Sequence, residues 1–195
     1  MKTHGPERSL AELIEGNARF AAGTSLHPRQ DARRRMEVLE KGQFPFAAIV
    51  SCSDSRVPPE LVFDQGLGDL FVVRTAGNVI DDLGMASLEY AAGHLGVPLI
   101  AVMGHSRCGA VTAAVEGGEA SGHFPSILAA LAPAVERARE IPGDVVDAAA
   151  RENVKSIAAT LESGEGVLKS LVDRGALRVV GAFYDIERGT VEFIR

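Results

Sequence analysis

The sequence predicts an α/β fold. Its core is a mostly parallel central sheet of four strands with an antiparallel C-terminal edge strand, helices on both faces and an N-terminal helical arm. Three observations carry this. Short β-branched apolar runs, such as Phe46-Ala47-Ala48-Ile49-Val50 and Pro98-Leu99-Ile100-Ala101-Val102-Met103, alternate with longer stretches of helical periodicity; strands separated by helices imply right-handed crossovers and a sheet covered on both sides. The last long run is followed by Glu187-Arg188-Gly189 and a second short run, Thr190 to Ile194, which reads as a hairpin. With 195 residues, 46% of them hydrophobic, the chain can bury one sizeable core.

Taken in order, Ser9 and Glu12 read as a capping box, and Leu10, Leu13, Ile14, Ala18 and Ala21 follow at helical spacing up to Gly23. This gives a helix over 9–22. A second helix is expected over 31–41, from Asp31 to just before Gly42. Both precede any strand, so residues 1–42 form an arm with apolar faces and no strand of their own to cover, suited to embracing a second copy. The α/β core is assigned to 43–195, and the whole chain to a single domain. Strands are expected at 46–51, 70–74, 98–103, 177–184 and 190–194. Asp81 or Asp82 caps a helix running through Leu83, Met85, Ala86, Leu88 and Leu95. Another helix begins near Arg107, and 125–174 holds two or three more. Gly117 to Gly122 reads as a flexible surface loop, and Gly66-Leu67-Gly68 lacks the strand-before, helix-after context of a dinucleotide turn.

A net charge of −6 argues against nucleic acid or an anionic membrane as the main partner. Arg33-Arg34-Arg35 is flanked by Asp31, Glu37 and Glu40 and reads as a solvated helix face. The first six residues contain no apolar segment of a signal peptide, and no apolar stretch approaches the roughly 20 residues needed to span a bilayer. A cytoplasmic location is expected.

Two motifs carry the chemistry: Cys52-Ser53-Asp54-Ser55-Arg56 and Gly104-His105-Ser106-Arg107-Cys108-Gly109. Each follows an apolar run, so both belong in the crevice beyond the carboxyl ends of the strands. Two sulfurs and one imidazole make a soft three-ligand set that suits zinc and leaves a fourth position free. The chain has two cysteines, both inside these motifs, and a reducing compartment disfavours a disulfide between them. Asp54 can accept a hydrogen bond from a zinc-bound hydroxide, and Arg56 can hold that carboxylate ionised through a bidentate pair.

These motifs resemble the β-class carbonic anhydrases. The likeness extends through Val57-Pro58-Pro59-Glu60, Phe71 to Asn78 and Glu89-Tyr90-Ala91, over roughly residues 43 to 116. The resemblance implies one zinc ion per chain on Cys52, His105 and Cys108, with Asp54 and Arg56 controlling the fourth position. In a closed state Asp54 would itself become the fourth ligand. The implied reaction is reversible hydration of CO2 to bicarbonate by zinc-bound hydroxide. Gln43, Phe71 and Tyr90 match the substrate pocket of the plant-type branch, with Val57 and Ala76 extending its wall and Gly109 letting a backbone N–H approach the anion. The tryptophan that marks the other branch is replaced by Ile49, and the chain has no Trp. The resemblance further implies a homodimer, or a dimer of such dimers, with Gln43, and Phe71 or Tyr90, reaching the neighbouring subunit's zinc.

Two alternatives share the site. One is hydrolysis of CS2 or COS, and the other a non-catalytic zinc-structured or bicarbonate-binding module, which would predict a fourth Cys or His or a broken Asp54–Arg56 pair. A dithiol redox protein would need its cysteines close in sequence, and these lie 56 positions apart. No histidine stands out as a proton shuttle; His94, before Gly96, reads as a helix C-terminal partner.

Overall fold

The structure, a computed structural model, describes residues 5–117 and 120–194. Helices α1 (Pro6–Ala21) and α2 (Ala32–Lys41) precede strand β1 (Ala47–Cys52), helix α3 (Pro59–Val62) and strand β2 (Leu70–Thr75). A short 3₁₀ turn at Ala76–Asn78 leads to α4 (Asp82–Gly93), β3 (Leu99–His105) and α5 (Gly109–Glu116). Then come α6 (Phe124–Ala138), α7 (Val145–Ser163), α8 (Val167–Asp173) and the closing hairpin of β4 (Arg178–Asp185) and β5 (Thr190–Ile194). The sheet runs β2-β1-β3-β4-β5, parallel through its first four strands and antiparallel at β5. This is the expected fold, with three helices in the 125–174 stretch and strand ends displaced by one or two residues. The loop expected at 117–122 lies partly outside the described residues.

Every residue of β1 and β3 is buried, because helices cover both faces of the sheet. On one face Ala47, Ile49, Leu99, Ala101 and Met103 pack with Leu13, Phe63, Leu131 and Val135. On the other, Ala48, Val50, Ile100 and Val102 pack with Leu88, Ala91, Val154, Ile157 and Leu161.

The N-terminal arm differs from its expectation in two respects. Helix α1 starts at Pro6, with Gly5 as N-cap and no side-chain cap bond. Proline's fixed φ suits the first helical turn, so Pro6 rather than Ser9 sets the start. Ser9 is buried inside the helix and its Oγ has no hydrogen-bond partner among the described residues, while Glu12 pairs with Arg8. Nor is the face of α1 unpartnered. Leu13 is fully buried, and Asn17 donates to the carbonyls of Val62 and Gly189 and accepts from the Val191 N–H. Those three bonds lock α1 onto its own chain.

Helix α2 behaves as expected at its start, where the Asp31 carboxylate accepts from the Arg34 N–H, but it buries none of its residues. It is held by polar ties: Arg34 donates to the Leu67 carbonyl and faces Glu37 and Asp69. The expected solvated face at 33–35 is therefore interrupted by Arg34. The connection between the two helices is tied down in the same way, with Arg19 and the N–H groups of Leu26 and His27 on Asp64, and Arg29 on Asp69 and Gln65. Asp81 caps α4 through the Gly84 N–H, as expected.

The chain leaves β1 for β2 on one side and returns past it to β3 on the other. The β1/β3 boundary is thus the point where strand order reverses, where a doubly wound sheet opens a crevice at its carboxyl edge.

Candidate metal centre

Cys52 is the last residue of β1 and His105 the last of β3, so the two strand ends deliver a thiol and an imidazole to the same side of that crevice. Cys108 follows after a two-residue turn, in which Arg107 takes a positive φ of 55°, and it caps α5. The ligand atoms of the three residues lie within 4.8 Å of one another, and all three are buried.

The donor set fits a metal ion on the chemistry of its own atoms. His105 Nδ1 lies 2.9 Å from the Ser106 carbonyl oxygen, to which it can only donate. That fixes the tautomer and leaves the Nε2 lone pair directed inward, and Nε2 is buried without a partner among the described residues. A buried acceptor left unpaired is a liability unless something electrophilic meets it. The two sulfurs are 3.9 Å apart. The contact with Cys108, together with the N–H groups of Asp54 and Gly77, outweighs burial and lowers the Cys52 thiol well below its ordinary value. The same neighbour, together with burial, pushes the Cys108 thiol up. One thiolate thus holds the other as a thiol, and a divalent cation would let both ionise.

The first turn beyond β1 carries Asp54 and Arg56. Arg56 Nε and Nη2 donate to the Asp54 carboxylate at 2.9 and 2.7 Å, and the Arg56 backbone N–H adds a third bond at 2.9 Å. These bonds hold the carboxyl at about 2, against a smaller opposing effect of burial. Arg56 also reaches the Arg107 carbonyl, which links the two motifs. In this arrangement Asp54 is engaged by arginine and stands outside the three-donor group.

A model of the carbonic anhydrase family matches residues 47–191. The chain is 40% identical to a carbonic anhydrase of Mycolicibacterium smegmatis, over 98% of this chain and 95% of that one. It is likewise 40% identical to carbonic anhydrase 2 of Mycobacterium tuberculosis, over 97% of this chain and 93% of the other. This chain belongs to the carbonic anhydrase family. The fold agrees with the β class: a structure described as one of two tetrameric β-carbonic anhydrases from Sordaria macrospora superposes with a TM-score of 0.76 at 26% identity, over 95% of this chain and 96% of that one.

Within the carbonic anhydrase fold, the remaining sequence-predicted residues divide into two groups. Val57 is buried and donates its N–H to the Asp54 carbonyl, Ala76 opens the 3₁₀ turn after β2, and Gly109 begins α5 with open space beside its Cα. These adjoin the metal centre. Gln43, Phe71 and Tyr90 do not. Phe71 pairs with Ala48 near the start of β1, whereas Cys52 pairs with Thr75, a separation of about 13 Å along the strand. Tyr90 packs against Phe71, with ring centroids 6.2 Å apart, and is 47% exposed. Gln43 is exposed ahead of β1. His94 caps the end of α4 and stacks on Tyr90.

Two further residues shape the centre without having been singled out from the sequence. Arg74 donates to the Cys52 carbonyl at 2.9 Å and to the Asp54 carbonyl at 2.7 Å, bracing the turn between them. Gly77 donates its N–H to Cys52 Sγ at 3.2 Å. An arginine ending the apolar run Phe71-Val72-Val73 was the available signal for the first, and a glycine three residues later for the second.

Proposed function

We propose that the chain is a zinc enzyme that interconverts CO2 and water with bicarbonate and a proton. The observation that carries this reading is the buried Cys52–His105–Cys108 set, with its unpaired imidazole nitrogen, beside an ionised Asp54 held by Arg56. Two sulfurs and one nitrogen favour zinc over the hard cations, and three protein donors leave one position for chemistry. Bound there, zinc would act as a Lewis acid that makes water nucleophilic near neutral pH.

The side chains would do the rest. Asp54, ionised at any working pH, accepts a hydrogen bond from the attacking water and fixes its lone pair towards carbon. Arg56 keeps that carboxylate from turning to the metal. The first N–H groups of α5, at Gly109, lie where negative charge grows on the substrate oxygens. Gln43 would donate its amide to those oxygens, and Phe71 and Tyr90 would form an apolar wall for CO2. Since all three lie away from their own metal centre, with Phe71 on the edge strand β2 and Tyr90 packed on it, we assign them to the centre of a second copy. The working unit is then a homodimer, alone or paired into a tetramer, each chain being one catalytic domain. Buried thiolate ligands suit a reducing cytoplasm.

The test is metal analysis combined with stopped-flow CO2 hydration, with CS2 and COS as parallel substrates. About one zinc per chain and CO2 turnover are expected, with zinc lost from Cys52→Ser, His105→Ala and Cys108→Ser. Full zinc in two of these variants would end the ligand assignment. Zinc-loaded protein inert to CO2 would end the reaction assignment.

A further inference from the structure

The 3₁₀ turn after β2 is an unusual backbone segment. Gly77 has a φ of 68° and Asn78, a buried non-glycine residue, a φ of 45°. Left-handed conformations in succession are unfavourable for L residues and persist where surrounding bonds hold them. Here the bonds are specific. The Thr75 hydroxyl donates to the Val79 carbonyl, and Asn153 Nδ2, reaching from α7, donates to the Gly77 carbonyl at 3.0 Å. Asn153 is 4% exposed and sits on the buried stripe of α7 between Ala149-Ala150 and Val154, where an apolar residue would be the ordinary choice. Across the Gly77 Cα from that carbonyl, the Gly77 N–H points at Cys52 Sγ. A side chain at Gly77 would crowd Leu131 and Ala110, at 3.1 and 3.3 Å from an added Cβ.

We infer that Asn153 is a positioning residue for the Cys52 thiolate, acting through Gly77; this rests on the metal-site reading above and deepens it. By fixing the Gly77 carbonyl, Asn153 fixes the orientation of the residue whose N–H meets the sulfur. A hydrogen bond to a ligating sulfur withdraws electron density from it and lowers its donation to the metal. A site with two thiolates has its cationic charge formally cancelled, so each N–H directed at sulfur restores Lewis acidity. Cys52 receives two such groups, from Asp54 at 3.4 Å and Gly77 at 3.2 Å, and Asn153 governs the second. Partners of this kind beyond the ligands themselves are worth about 10- to 100-fold in metal affinity or activity.

The first test needs no substitution. In protein loaded with cadmium-113, the Gly77 amide proton should show scalar coupling to the metal through Cys52 Sγ. A metal-loaded spectrum with couplings to the cysteine protons but none to that amide overturns the inference while leaving the metal site standing. If cadmium produces no coupling even to the cysteine protons, the metal-site reading itself falls. The second test compares Asn153→Leu with Asn153→Gln in cobalt-substituted protein. The leucine variant, whose Cys52 thiolate is no longer held in place and stabilised against protonation by the Gly77 N–H, should lose about 10- to 100-fold in affinity against a competing chelator despite the sulfur's stronger donation. That stronger donation should move its sulfur-to-cobalt charge-transfer band to lower energy. The glutamine variant, which retains an amide donor, should lie between it and the unaltered chain. A folded leucine variant with unchanged band and affinity would show that Asn153 serves packing alone.

Discussion

Asp54 and Arg56 share three hydrogen bonds within a turn of three residues, and that geometry determines what each can do. With its carboxyl held at about 2, Asp54 is an ionised acceptor near neutral pH and cannot serve as a titrating base there. Asp54→Ala should therefore retain zinc and lose CO2 hydration by about 100-fold or more, since the ligands remain while the orientation of the attacking water is lost. Arg56→Ala should lose as much for a different reason, by releasing Asp54 towards the metal. Metal content and stopped-flow rates check both, and near-normal turnover in either would reduce the pair to an ordinary turn ion pair. At this scale the sequence was highly legible: soft ligands and their charged neighbours are side-chain chemistry at fixed spacing. Arg74 and Asn153 were not legible, because each acts on backbone carbonyls, and which carbonyls a side chain meets is decided only when β2 and α7 are laid against the strand ends.

The helical elements were readable where a local signal agreed with tertiary packing, as at Asp31 and Asp81, whose side chains cap α2 and α4. Ser9 shows the opposite case, a capping pattern overridden by Pro6 and by burial against the core. The distinction is measurable. A true cap would lose about 1 kcal/mol on Ser→Ala substitution. Removing a buried hydroxyl without a partner should instead leave stability unchanged or raise it by up to about 1–3 kcal/mol. Chemical denaturation of Ser9→Ala decides, and a loss near 1 kcal/mol would restore the capping assignment. The α1–α2 connection adds a pH dependence. Burial alone would raise the Asp64 carboxyl, but Arg19 and the N–H groups of Leu26 and His27 outweigh it, and its pKa lies below the ordinary value. A depressed folded value contributes stability that is complete above the unfolded pKa of about 3.9 and is lost as pH falls through the folded one. Acidification from neutrality to about pH 3 should loosen residues 24–30 more in the unaltered chain than in Asp64→Asn, which has already lost that contribution. Hydrogen exchange at the Leu26 and His27 amides reports this, and equal acid sensitivity in the two proteins would count against it.

The sheet architecture was legible because strand and helix periodicities differ along the chain, but the placement of α1 was not, since an amphipathic helix does not record whose core it covers. Leu13 and Asn17 of α1 are engaged by their own chain, so the apolar side chains left open to a second copy include Ile14 of α1 and residues on other elements. Exposed apolar residues include Leu39 and Met36 of α2, which Arg34 ties to Leu67 and Asp69 just ahead of β2, Phe44 ahead of β1, and Tyr90, which packs on Phe71 of β2. A shared pocket built there makes a prediction that no single-chain site could satisfy. Chains carrying Cys52→Ser lack a metal ligand but keep Gln43, while chains carrying Gln43→Ala keep every ligand and lose the amide donor. Each pure variant should be strongly impaired. In a closed two-fold dimer the two contributions cross the interface, so a heterodimer of the two variants contains one centre with all its parts. Unfolding and refolding the variants together should therefore restore CO2 hydration well above the mean of the separate proteins, while mixing them without subunit exchange should not. If co-refolded chains form heterodimers by native mass spectrometry yet remain at that mean, Gln43 serves the metal centre of its own chain or none, and the crossed pocket is wrong.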